Sequence, residues 1–455
     1  MKKSILITLL STIATLVFAQ TKPNIVFILA DDLGWSDLGC YGNPFNNTPN
    51  IDKLAKEGIK FNQAYVASPV CSPSRASILT GKHPARLKIT NFLVGNKVDT
   101  TSPILPAKWQ PYLAKEEFTL AEMLKEKGYT TGLVGKWHLG SYDTLMPYSQ
   151  GFDYDRTIGK NGLDYYNYNL VTGNHKVVFE DSGKTYLTDK LTEYGVEFIT
   201  QNKAKPFFLF MTYSAPHVLL VPRGDKVRNY LFKYEKFHGK YNPYYAAMIE
   251  SLDEGVGKLV ETLKKHNLYE NTIIVFSSDN GGVGLPEVGP TPTSCEPLRK
   301  WKGHAYEGGI RVPTIISWKG KLKENVSTDQ YFTNSDYFPT FAEMLNSDKK
   351  KLALDGKSMW QFIQNPDKAT DRGYLYWHYP HFSNQEGRPA AAIRGGDYKL
   401  VENYETGSLE LYNLKNDISE SKDLAKEMPE KVKELKAALD KWRADVKANM
   451  PEKKK

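Results

Sequence analysis

Four short apolar runs, each cut off abruptly by polar side chains, constrain this chain more than any other feature. Asn24-Ile25-Val26-Phe27-Ile28-Leu29-Ala30 stops at Asp31-Asp32, and residues 129–135 deliver Lys136-Trp137-His138-Leu139-Gly140. Residues 206–213 lead into Ser214-Ala215-Pro216-His217, and residues 271–278 into Asp279-Asn280-Gly281-Gly282. Runs of this length without alternation suit strands covered on both faces, as in a parallel sheet between helices. Ligands of such sheets bind beyond the carboxyl ends of the strands, where each of these polar groups falls. Adjacent carboxylates repel unless a cation or another partner neutralises them. A solvated loop start would explain either Asp31-Asp32 or Asp279-Asn280 alone; two such pairs delivered to one edge is how a fold assembles a metal site from distant sequence.

The intervening sequence supplies the helices. Residues 48–58 read as a capped helix closed by Gly58, residues 60–66 as the next strand, and residues 119–127 as an amphipathic helix terminated by Gly128. Helical pattern returns at 188–201 and at 244–265, where Ile249, Leu252, Val256, Leu259 and Leu263 mark a core-facing stripe. Residues 142–184, rich in Tyr, Asn and Gly without periodicity, read as loops over the sheet edge, where specificity usually resides. Residues 313–318 form another strand. The pattern changes near 346–356, with Asp348-Lys349-Lys350-Lys351 as a surface linker. Beyond it, runs at 391–394, 398–404 and 409–414 are separated by Gly395-Gly396-Asp397 and Glu405-Thr406-Gly407, which predicts antiparallel hairpins. A last helix carries Val432, Leu435, Leu439, Trp442 and Val446 on one face. The fold expected is α/β: a large, mostly parallel sheet sandwiched by helices over residues 20–350, with a smaller α+β domain built on an antiparallel sheet over 351–455.

Met1-Lys2-Lys3, the apolar run from Ile5 to Phe18 and the ending Val17-Phe18-Ala19 read as a signal peptide over 1–19. The run is short for a membrane span and Lys22-Pro23 follow it closely, so no stable membrane anchor is expected and the chain is read as exported, periplasmic or secreted. The formal net charge of +8 suits an anionic substrate. Lys and Arg are interspersed with Asp and Glu and form no stripe, which argues against nucleic acid. Cys40, Cys71 and Cys295 are an odd number for an exported protein, and Cys40 and Cys295 are left to pair or to stay free.

Cys71 lies in Ser68-Pro69-Val70-Cys71-Ser72-Pro73-Ser74-Arg75-Ala76-Ser77-Ile78-Leu79-Thr80-Gly81. Ser72 as N-cap, Pro73 at the first helical position and Gly81 as a stop place Cys71 at the mouth of a short helix. Free N–H groups and the positive end of the helix dipole attract anions there, and Arg75 can add a charge-assisted fork. A buried or disulfide-bonded cysteine beside an ordinary cap would look the same.

The order Cys71-Ser72-Pro73-Ser74-Arg75 resembles the signature of the type I, formylglycine-dependent sulfatases of the alkaline-phosphatase-like superfamily. Asp31-Asp32, Gly135-Lys136-Trp137-His138-Leu139-Gly140, Ala215-Pro216-His217, Asp279-Asn280-Gly281 and Lys302-Gly303 with Tyr306-Glu307-Gly308-Gly309 follow in family order. Glu410-Leu411-Tyr412-Asn413-Leu414 with Asp417 is similar to the family's small domain. The resemblance implies that a maturation enzyme oxidises Cys71 to formylglycine, an aldehyde whose hydrate is the nucleophile. It also implies one Ca2+ held by Asp31, Asp32, Asp279, Asn280 and the modified residue 71. The oxygen-only donors Asp31, Asp32, Asp279 and Asn280 independently select calcium or magnesium over zinc. By the same resemblance Arg75, Lys136 and Lys302 hold the sulfate oxygens, His217, with Lys302, protonates the leaving alcohol, and His138 helps deprotonate the second hydroxyl so that sulfate is expelled.

Where many members of that family carry glycines before the lysine of the fifth motif, this chain has Lys300-Trp301, which puts Trp301 near the pocket rim as a sugar-stacking or packing residue. Trp377-His378-Tyr379-Pro380-His381 and Arg388 resemble the stretch that approaches the pocket in carbohydrate sulfatases, so Trp301, His378, His381 and Arg388 are candidate substrate contacts. Export, a loop-rich edge and aromatic residues around the pocket favour a sulfated saccharide, a galactan or glycosaminoglycan fragment cleaved from its end, over a small aryl ester. The competing expectations are a phosphomonoester or phosphonate ester hydrolase of the same superfamily and a catalytically silent saccharide-binding relative.

Overall fold

The four apolar runs become adjacent parallel strands. The computed structural model describes residues 22–454 except 94, 96, 142–144, 160–163, 174, 182, 286–291, 294 and 349–351, so the signal peptide expected at 1–19 and the boundary expected at 350/351 lie outside the described residues. Thr272–Ser278, Asn24–Ala30, Phe207–Thr212 and Thr130–Gly135 stand side by side, and every residue of the first three is buried. They are the centre of a ten-stranded sheet in the order Val326–Thr328, Gly58–Phe61, Thr314–Ser317, Thr272–Ser278, Asn24–Ala30, Phe207–Thr212, Thr130–Gly135, Tyr154–Ile158, Asn169–Thr172, Lys176–Glu180. Tyr154–Ile158 extends the parallel block. Thr314–Ser317 and Asn169–Thr172 each run antiparallel to both of their neighbours. The sheet is therefore mixed, with a central parallel block flanked on each side by an antiparallel strand, and with a parallel pair, Val326–Thr328 with Gly58–Phe61, at one edge.

Side chains of the Asn24–Ala30 strand divide the core in two. Val26 and Ile28 face Ile51 and Leu54 together with the predicted stripe Ile249, Leu252, Val256, Leu259 and Leu263, all buried, on the Pro243–Lys265 helix. Ile25, Phe27 and Leu29 face Ile78 and Leu79 of the Cys71–Thr80 helix, the Leu120–Glu126 helix and the Tyr337–Met344 helix. Residues 142–184, expected as loops, contain three edge strands. In Tyr154–Ile158 the buried positions are Asp155 and Thr157, so an apolar count passes over the strand.

The predicted hairpins appear as Ala390–Gly395, Tyr398–Asn403 and Leu409–Asn413, with Leu375–Tyr379 as a fourth antiparallel strand. The Pro429–Asp445 helix covers one face through Leu435, Leu439 and Trp442. On the other face Trp377, Ala392, Val401 and Tyr412 pack on Tyr65, Ile310 and Val312. Cys40, Cys71 and Cys295 are all unpaired. Among the described residues no helix is long and apolar enough to cross a membrane.

A fully buried ion cluster joins the two sheets. Lys399 is 0% exposed and places Nζ 3.0 Å from Glu307 and 2.9 Å from Glu420. Removing one partner of a buried ion pair leaves uncompensated charge. Lys399→Met is expected to lower unfolding stability by about 3–5 kcal/mol, measured by urea denaturation, and an unchanged midpoint would refute the importance of this cluster.

Candidate active site

Backbone hydrogen bonds continue the central ladder past the ends of its strands. Asp279 N donates to Ala30 O at 3.1 Å, Asp31 N to Ala215 O at 3.2 Å, and Lys136 N to Thr212 O at 2.8 Å. Asp31-Asp32, Lys136, the 214–217 turn and Asp279-Asn280 are thus held in one row by the same bonding that holds the sheet.

Cys71 reaches that row from outside the sheet, as the first residue of the Cys71–Thr80 helix, all of whose residues are buried. The helix begins two residues earlier than the Ser72 cap predicted. Val70, in extended conformation, is the N-cap, and Ser72 Oγ instead accepts from Leu93 N at 3.1 Å. Pro73 then occupies a first-turn position whose N–H would have had no helical partner in any case. Asn334 Nδ2 donates to Ser74 O at 3.0 Å and to Ser74 Oγ at 2.7 Å, which ties the first turn to a distant loop.

Three cations and three carboxylates meet beside Cys71. Arg75, 1% exposed, donates Nε to Asp279 Oδ2 at 2.8 Å and Nη1 to Lys136 O at 2.8 Å. Lys136 Nζ lies 2.5 Å from Asp31 Oδ2, and Lys302 Nζ lies 2.8 Å from Asp32 Oδ2. Burial would raise the Asp31 pKa, but Lys136, His217, Arg75 and Lys302 together override it and hold the carboxyl far below the usual range. Burial, and then the charge of Asp31, push Asp279 up. Burial likewise raises the Cys71 thiol, against the pull of Lys136 and Lys302.

The donors fit a hard divalent ion. Asp31 Oδ1 and Asn280 Oδ1 are buried oxygens with no hydrogen-bond partner, an arrangement that costs free energy unless something positive sits beside them. Asp31, Asp32 and His217 place ligand atoms within 4.8 Å of one another. Asp279 Oδ1 accepts from Asp32 N at 3.2 Å, and Asn280 Nδ2 donates to Asp32 Oδ1 at 2.6 Å, which ties these two residues to the Asp31-Asp32 pair. With carboxylates and cations equal in number the cluster is neutral, and a divalent ion would leave it net positive toward an anionic substrate.

Two histidines flank the cluster. His138 Nδ1 lies 3.2 Å from Cys71 Sγ. His217 Nδ1 lies 2.5 Å from the carbonyl oxygen of Val218, which makes Nδ1 the N–H and leaves Nε2, 3.5 Å from Asp32 Oδ2, as the proton-exchanging atom. Burial lowers both imidazoles: His217 to about 4, with Asp32 partly opposing, and His138 well below its ordinary value, helped by Lys136 and Arg75. Tyr165, which no motif singles out, donates its hydroxyl to the carbonyls of Ser214 at 2.9 Å and His217 at 3.0 Å. Its position within a tyrosine-rich stretch carried no signal of that role.

The structure thus brings together Asp31, Asp32, Cys71, Arg75, Lys136, His138, His217, Asp279, Asn280 and Lys302. The remaining candidates belong to other networks. Trp301 donates Nε1 to Gln385 O at 3.0 Å, and its ring closes so tightly on Gly284 that a Cβ there would lie 2.0 Å from it. His378 engages Tyr404 OH and Asn449 O with its two ring nitrogens, and His381 engages Thr90 Oγ1 at 2.8 Å. Arg388 is half exposed and paired with Glu405 and Asp99, each at 2.6 Å.

The chain is similar to known proteins over nearly its whole length. The family model described as Sulfatase matches residues 23–347, and one described as N-sulphoglucosamine sulphohydrolase, C-terminal, matches 301–445. A sulfatase of Formosa agariphila is 32% identical over 92% of this chain and 88% of its own length. An N-acetylgalactosamine-6-O-sulfatase of Bacteroides thetaiotaomicron is 30% identical over 92% and 93%. The crystal structure of Ps i-CgsB in complex with k-i-k-neocarrahexaose superposes with a TM-score of 0.78 at 30% identity, covering 93% of each chain.

The ion site can be tested by binding alone. Adding Ca2+ at about 100 times its Kd to chelator-treated protein is expected to raise the thermal midpoint by roughly 5 °C, and Asn280→Ala to reduce the rise. Identical melting curves with and without the ion would sink the site.

Proposed function

Because the chain belongs to the sulfatase family and is a sulfuric ester hydrolase, we propose that it removes sulfate from a sulfated carbohydrate, a galactan or glycosaminoglycan fragment. We assign one Ca2+ to Asp31, Asp32, Asp279, Asn280 and residue 71, and conversion of Cys71 to formylglycine by a maturation enzyme. Action outside the cytoplasm accords with the leader at 1–19. The observation that carries the proposal is the convergence of Cys71 with Arg75, Lys136 and Lys302 against the Asp31, Asp32 and Asp279 carboxylates. A carbohydrate substrate is supported by the N-acetylgalactosamine-6-O-sulfatase relative and by Ps i-CgsB, whose crystal structure holds a neocarrahexaose.

When present, the ion would supply Lewis-acid charge and formylglycine a nucleophilic hydroxyl at position 71. The protein's own groups supply the rest. Arg75, Lys136 and Lys302, together with the N–H groups at the mouth of the Cys71–Thr80 helix, hold sulfate oxygens in a site that excludes water, where such contacts are strong. His138 lies within reach of the side chain at 71 and takes its proton. His217, with Nδ1–H held on the Val218 carbonyl, presents Nε2, which in the imidazolium form would give its proton to the departing sugar oxygen. Tyr165 holds the backbone on which His217 stands.

Cys71→Ser is expected to abolish multiple turnover while leaving the unfolding transition in place, because a serine sulfate ester has no carbonyl to regenerate; sustained turnover by this variant would overturn the proposal. Mass measurement of the peptide holding residue 71 should show the aldehyde in active material, and aryl sulfate should be hydrolysed in preference to aryl phosphate. Tyr165→Phe is expected to slow hydrolysis of a sugar sulfate about tenfold, less than the roughly 10²–10⁴-fold contributed by a general acid itself, and more than that of 4-nitrophenyl sulfate, whose leaving group needs little protonation. Equal losses on both would remove Tyr165 from the positioning of His217.

A further inference from the structure

A cavity of about 760 Å3 takes His138 into its wall. That volume lies within the usual range of small-ligand sites, about 300–1,000 Å3. His138 is shared between two spaces, since its Nδ1 also reaches Cys71 Sγ at 3.2 Å. The opposite wall is the edge of the ten-stranded sheet. Thr157 pairs with Val171, and Asn169 with Glu180, across neighbouring strands, which turns these four side chains toward the same side of the ribbon. Tyr112, 37% exposed, adds an amphipathic ring at the rim.

The charge of this space is opposite in kind to that of the cluster at Cys71. Among the described residues that line it there is no lysine or arginine, and Glu180 is its one carboxylate. An anionic group placed here would meet no lysine or arginine among the described lining residues, only the imidazoles of His138 and His175, and would face the like charge of Glu180. A ring with hydroxyls alone would find hydrogen-bonding partners in Thr157, Asn169 and Glu180 and apolar surface in Trp137 and Val171.

We propose that this cavity receives the sugar unit next to the sulfated one, and that it selects a neutral unit, one bearing neither sulfate nor carboxylate, with Glu180 as the discriminating residue. The proposal rests on the carbohydrate reading above. A sugar whose sulfate lies among Arg75, Lys136 and Lys302 carries its neighbour past the residues around Cys71, and on the His138 side the adjoining space is this cavity.

The test uses the matured full chain with two disaccharides that share the same sulfated terminal sugar, one with an uncharged neighbour and one with a sulfated neighbour, and 4-nitrophenyl sulfate in parallel. The wild type is expected to favour the uncharged neighbour by roughly tenfold or more in kcat/KM. Glu180→Gln should bring that ratio toward one, and Glu180→Lys should invert it. Equal kcat/KM on the two disaccharides, or a ratio that neither variant moves, overturns the inference while leaving the sulfatase reading in place. Turnover of 4-nitrophenyl sulfate with neither disaccharide cleaved overturns the carbohydrate reading itself, and this inference with it.

Discussion

Three buried carboxylates facing three cations at the end of a parallel sheet is the constraint on which the rest of the site depends. Asp31, Asp32 and Asp279 are 0% exposed, and burial of such charges is tolerable only with partners in place. Arg75, Lys136 and Lys302 supply those partners, each from a different element. The same arrangement makes the site functional. Because protein charges already balance, a divalent ion at Asp31 Oδ1 and Asn280 Oδ1 would leave the cations net available to an anionic ester, in a region from which water is excluded.

Precision comes from backbone more than from side chains. Asp31, Lys136 and Asp279 each hang from a main-chain bond that prolongs the sheet ladder, so their positions inherit the stiffness of the core. The segment carrying Lys302 is fastened on two sides: Lys302 N donates to Gly282 O at 3.0 Å, and Gly303 N to Pro69 O at 2.9 Å. A Cβ at Gly281 would lie 1.9 Å from the Gly308 carbonyl oxygen, and one at Gly308 1.9 Å from the Lys300 carbonyl oxygen, so each position is restricted to glycine. The loop bearing Asn280, the loop bearing Lys302 and the approach to Cys71 are thereby one mechanical unit.

The small C-terminal sheet belongs to that unit. Glu307, a few residues beyond Lys302, accepts from Lys399 of the small sheet, and its backbone N–H donates to Glu420 at 2.7 Å. The four-stranded sheet therefore braces the Lys302 segment from behind. His378, resembling a substrate contact in sequence, is absorbed into the packing of the same sheet against the chain's C-terminal end, through Tyr404 and Asn449.

Residues 24–30, 206–213 and 271–278 revealed the central strands because a strand covered on both faces must be apolar throughout, and the polar groups that end such runs have to lie at the carboxyl edge. That determined the fold class and the convergence of Asp31-Asp32 with Asp279-Asn280, while Pro73 and Gly81 marked the short helix with Cys71 at its mouth. Tertiary structure alone decided the mixed order of the sheet, since strands such as Tyr154–Ile158 bury Asp155 and Thr157 and leave no apolar signature. It also decided the support of His217 by Tyr165, the N-cap at Val70, and the pairing of His378 with Tyr404 and Asn449 and of Arg388 with Glu405 and Asp99. Those are contacts between segments far apart in the chain, and local pattern records which face a residue must bury but not which distant partner it meets there.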